Sequence, residues 1–90
     1  MKNLKLVLKR KWYDMIASGE KREEYREIKP YWQKRFKQRY DTVTFYLGYA
    51  KDRPSMTFNI EALIFGKGRS EWGAEEWRYY YIIKLGKRII

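Results

Sequence analysis

Ninety residues, 44% hydrophobic and 19% aromatic, suggest one domain with one modest core. The chain has no Cys and no His, which excludes disulfides, thiolate metal sites, imidazole-bound zinc and every His-dependent triad. The net charge of +10 is uneven: residues 1–40 hold 13 Lys/Arg against 5 Asp/Glu, and residues 41–90 hold 8 against 6. The positive field therefore belongs to the first half and points to a polyanionic partner, most often nucleic acid.

In chain order, LKLVL at 4–8 alternates and predicts a short strand. The apolar run is too short for a signal-peptide core, and no window approaches the roughly 20 apolar residues of a membrane span. The expectation is a cytoplasmic protein with no membrane partner. KRKWYDMIASG at 9–19 changes period, and Trp12, Met15 and Ile16 mark one helix face as the core face. Gly19 follows, suited to a left-handed cap. EKREEYREI at 20–28 alternates again. A strand puts Glu24, Arg26 and Ile28 on one face and Glu23, Tyr25 and Glu27 on the other. Its Glu, Lys and Arg would also suit a helix, but Gly19 and Pro30 bracket it and favour extended backbone.

Pro30 suits the first turn of a second helix running to Tyr40. Trp32, Phe36 and Tyr40 form its apolar stripe. Lys34, Arg35 and Lys37 form a basic face, which is either solvated or a phosphate-binding surface. TVTFYLGYA at 42–50 and MTFNIEALIFG at 56–66 are β-branched and aromatic and predict two strands, the second central. Residues 50–55 form a turn, and residues 66–77, with three Gly, form a loop with room for a short helical turn. RYYYIIKLG at 78–86 is the last strand. The order β-α-β-α-β-β-β predicts an α+β domain of about five strands and two helices. The sheet is expected to be mostly antiparallel and to curl into a small barrel, which would protect aromatic edge strands.

Within the charged run 19–27, the residues Gly19, Lys21, Glu24 and Arg26 spell G-x-K-x-x-E-x-R. With the preceding WYDMIASGEK and the extended EYREIKPYWQKR, this pattern resembles ASCH domains, small β-barrels related to PUA RNA-binding domains. VTFYLGYAKDRP and EWGA are compatible with the short ASCH-like proteins of phages and their bacterial hosts, so the resemblance covers most of the chain. It implies a PUA-like barrel with a cleft lined by Lys21, Glu24 and Arg26, and recognition of RNA or a modified nucleoside.

The chemistry of these residues stands beside that resemblance. Lys21 offers a point charge to phosphate, and Arg26 a bidentate contact or a stacking plane. Glu24 would repel phosphate but can accept from the exocyclic amine of a base. Tyr25 or Tyr46 could supply a stacking surface. A ladder of surface ion pairs is the plainer account, worth roughly 0–1 kcal/mol per pair. A hydrolase is the second expectation. One ASCH branch deacylates modified cytidine with a Lys, a Thr and a Glu. Here Lys21 is in place, Glu24 stands where that branch has Thr, and Glu61 is only a candidate for its Glu. Other members resemble nucleases, and a Lys21–Glu24 pair could do acid–base work. A third expectation is a protein partner held by Trp72 and Trp77 of SEWGAEEW, unless these cover the barrel end. No cofactor or metal is called for.

Overall fold

The computed structural model describes residues 2–90. Its elements are β1 (Asn3–Leu8), α1 (Arg10–Ala17), β2 (Glu23–Glu27), α2 (Pro30–Arg35), β3 (Thr42–Leu47), β4 (Ser55–Lys67), a 3-10 turn at Ser70–Trp72, and β5 (Tyr79–Arg88). This is the expected α+β order. The five strands lie in the order β1-β3-β4-β5-β2. β1 runs parallel to β3, and every other neighbouring pair is antiparallel.

The sheet curls into a half-barrel and leaves β1 and β2 as its edges. Register shifts at Phe58/Ile60 and Ile60/Ala62 break the β4–β5 ladder, as bulges do where a strand bends. The first part of β4 pairs with β3 and the remainder with β5. The aromatic strands therefore sit in the middle, and the short β1 and β2 take the edge positions.

Alternation in β1 sends Leu4, Leu6 and Leu8 to the concave face. Val43, Phe45, Met56, Phe58, Ile83 and Leu85 meet them there. From α1, Tyr13 and Ile16 complete this core. The expected helix face was Trp12, Met15 and Ile16, but Trp12 and Met15 are only half-buried. Trp12 instead packs on the loop after β4, where a Cβ at Gly73 would come within 3.0 Å of its ring.

α2 also departs from expectation, ending at Arg35 rather than Tyr40. The Phe36 N–H still reaches the Trp32 carbonyl, but Lys37 turns back to Lys34 at 3.5 Å. The chain then extends so that the Asp41 N–H bonds the Lys2 carbonyl and β3 can start beside β1. The aromatic stripe survives this break. Trp32 stacks on Phe36 at 5.5 Å, and Phe36 meets Tyr40 and Tyr81 edge-on. Among the described residues, no helix is long and apolar enough to cross a membrane.

Candidate functional site

The site begins at the end of α1. Gly19 takes φ +86°, as its sequence position predicted, and its N–H bonds the Ile16 carbonyl at 3.1 Å. The Lys21 N–H then bonds the Met15 carbonyl at 2.9 Å. This reversal carries Lys21 inward, and the residue is 1% exposed. Its Nζ donates to the Trp72 carbonyl at 2.7 Å and lies 3.4 Å from Glu24 Oε1. The ring of Tyr25 stands 4.6 Å away and that of Trp12 5.3 Å away. Burial pushes the Lys21 pKa below its ordinary value of 10.5, and Glu24 pulls the other way.

Glu24 and Arg26 share a face of β2, opposite Ile83 and Tyr81 of β5. Arg26 Nη2 donates to Glu24 Oε2 at 2.7 Å, so the carboxylate is held between two cations. The same Nη2 lies 3.4 Å from the Val7 carbonyl. Arg26 thus spans from β2 to β1, the two edges that the backbone leaves apart. Its guanidinium stands over Trp32 at 5.2 Å. Among the described residues, Arg26 Nε is the buried side-chain donor without a partner.

Tyr25 points to the other face. Its hydroxyl donates to Glu23 Oε1 at 2.8 Å and accepts the Arg69 N–H at 3.0 Å. Burial pushes its pKa up from 10.0. The loop is moulded around it, since a Cβ at Gly68 would lie 2.6 Å from the Tyr25 ring. The structure therefore brings Lys21, Glu24, Tyr25 and Arg26 together. It does not present them as free heads: Lys21 is enclosed and Arg26 is already paired with Glu24.

Two clefts flank the Glu24–Arg26 pair. Glu24 lines the first, of about 290 Å³, with Trp12, Tyr25, Trp72 and Tyr80 as aromatic walls and Glu27, Glu75 and Arg78 among its charged residues. Arg26 lines the second, of about 210 Å³, with Lys5, Arg35, Tyr31, Trp32 and Tyr49. Among the described residues, the second holds three cations and no carboxylate. Arg35 donates to the Tyr31 hydroxyl at 2.9 Å, and this contact raises its pKa. Of the expected phosphate face, Arg35 alone lines this cleft, while Lys34 and Lys37 are exposed outside it.

Tyr46 and Glu61 line neither cleft. Arg53 stacks on Tyr46 at 4.1 Å, and Glu61 is exposed on β4. Trp72 is half-buried against the first cleft, and Trp77 is 78% exposed. Sequence reasoning missed Lys5, Tyr31, Trp32 and Tyr49 as site residues and gave Trp12 to the core. Lys5 had a signal, since it alternates outward between Leu4 and Leu6. Tyr49 had none, because only the fold brings it near Arg26. In comparisons with known proteins, no family model, curated protein or solved structure matches the chain.

Proposed function

We propose that this chain is an RNA- or modified-nucleoside-binding module of the PUA-like kind that its Lys21, Glu24 and Arg26 resemble. The observation that carries the reading is the separation of charge across the Glu24–Arg26 pair. On the Arg26 side, cations and aromatics, with no carboxylate among the described residues, suit a phosphate and a stacked base. On the Glu24 side, carboxylates repel phosphate, and aromatic walls suit an uncharged or amine-bearing base. A carboxylate has about four lone-pair sites, so Glu24 can hold Lys21 and Arg26 and still accept from an amine. The enclosure of Lys21 Nζ by Trp72, Tyr25 and Trp12 favours binding over turnover, because a reacting group needs access to substrate.

The test is tryptophan fluorescence titration with cytidine, uridine and a short single-stranded RNA. Cytidine carries an exocyclic amine and uridine does not. Cytidine should bind more tightly, and Trp12→Leu in the first cleft should narrow the difference. RNA affinity should fall as salt rises, and Lys5→Glu with Arg35→Glu should flatten that dependence by about 0.7 of log–log slope per lost phosphate contact. Equal binding of the two nucleosides removes the role of Glu24. Absence of RNA binding at low salt removes the reading as a whole.

A further inference from the structure

β4 carries a stretch of unpaired edge. Its ladder with β3 ends at Asn59, and the Ile60 N–H donates to the Asp41 carbonyl at 2.9 Å. From Ala62 to Lys67 its strand pairing, among the described residues, is with β5 alone. This stretch with its preceding residue reads EALIFGK, residues 61–67. Ile64 is 40% exposed and Phe65 64% exposed. An apolar edge of this kind is a template for another strand.

The stretch is complementary to itself when reversed. A two-fold axis normal to a sheet produces an antiparallel pair in which one residue faces its own copy. With Ile64 on the axis, Leu63 faces Phe65, Ala62 faces Gly66, and Glu61 faces Lys67 twice. An axis at Leu63 would set Glu61 against Phe65, and an axis at Phe65 would set Lys67 against Leu63. Opposite charges directly across a ladder stabilise it and like charges destabilise it, so charge selects the Ile64 register. Glu61 and Lys67 are both exposed, and among the described residues neither takes part in an ion pair.

We infer that a second copy of this chain pairs with residues 61–67 about a two-fold axis at Ile64, joining two five-stranded sheets into one of ten strands. The net charge of +10 on each copy opposes association. At physiological salt the screening length is about 8 Å, which weakens that distant repulsion more than the direct Glu61–Lys67 contacts.

Sedimentation equilibrium at physiological ionic strength tests this over a rising concentration series. The wild-type mass should move from monomer towards dimer. Glu61→Lys sets like positive charges across both ends of the ladder, and Lys67→Glu sets like negative charges there. Each variant alone should remain monomeric, with an unchanged far-ultraviolet dichroism spectrum. An equimolar mixture of the two should dimerise, because each substituted position then faces an opposite charge. The chain carrying both substitutions should dimerise as well. A wild type that stays monomeric, a dimer indifferent to either reversal, or a mixture that stays monomeric would each overturn the inference.

Discussion

One sheet carries two buried polar groups, one on each face. On the convex face, Asn3 Nδ2 donates to Thr42 Oγ1 at 2.9 Å and to Thr44 Oγ1 at 3.0 Å, and Thr44 meets Thr57 at 2.8 Å. On the concave face, Lys21, Glu24 and Arg26 form a charged cluster at the sheet edge. The threonine ladder is neutral and satisfied by its own members. The charged cluster leaves Arg26 Nε without a partner and holds an ammonium below its ordinary pKa. Neutral hydroxyls bonded to each other are what a fold needs to bury polar atoms at low cost. Three charges, two of them lining clefts and the third buried behind, cost more, which is a reason to look for function there.

The largest effect should come from removing the centre of the charged cluster. Glu24→Ala leaves the Lys21 ammonium buried with the Trp72 carbonyl and two ring faces. Loss of one partner from a buried pair costs about 3–5 kcal/mol, read as a fall in urea midpoint at pH 7. The deficit should shrink on raising the pH. Without Glu24 the folded-state pKa of Lys21 drops further below 10.5. The penalty is full below that folded value and is relieved as pH climbs through it towards 10.5, because the unfolded chain then binds more protons. A deficit that stays constant from pH 7 to 10 would mean that Lys21 is not the group left stranded.

A smaller effect is expected at the other partner. Lys21→Met removes the buried ammonium while Glu24 keeps Arg26 at 2.7 Å. The cost at pH 7 should be about 1–3 kcal/mol, since Glu24 is still paired and the Trp72 carbonyl loses its donor. Relative to this variant, the wild type should gain stability as pH rises towards 10.5, the window over which its depressed Lys21 pKa releases a proton. Urea denaturation of both proteins at pH 7 and pH 10 measures the gain. Tyr25 acts in the opposite sense, because its raised pKa makes stability fall once pH passes 10.0. The comparison therefore stops at pH 10.

The contrast also marks what the sequence could reveal. The strands at 42–50 and 56–66 were legible because β-branched and aromatic runs carry a direct signal. So was the Gly19 reversal, where residue type and position agree. The motif drew attention to Lys21, Glu24 and Arg26, and the structure does bring them together. Their burial was not legible, because a run of seven charges within nine residues reads as a solvated surface. The enclosure comes from Trp72, 51 positions away from Lys21. The early end of α2 was hidden for a related reason: helix propensity continues to Tyr40, and the docking of Asp41 on Lys2 overrides it. The threonines were read as strand formers only, since nothing local says that Thr44 and Thr57 face each other.

The smallest effect should come from the neutral ladder, and its sign pattern sharpens the comparison most. Thr57→Val removes the hydroxyl that meets Thr44, while Thr44 keeps Asn3 at 3.0 Å. One buried hydrogen bond is worth about 1 kcal/mol, and the loss should not vary between pH 5 and pH 9, because no member titrates there. Thr44→Val together with Thr57→Val should cost less than the sum of the two single changes. Replacing both partners by apolar groups of the same shape leaves no stranded hydroxyl, and Asn3 retains Thr42 at 2.9 Å. Urea denaturation of the two single variants and the double variant closes the cycle. A double variant that costs the full sum would mean that the hydroxyls act separately, each through partners other than the other.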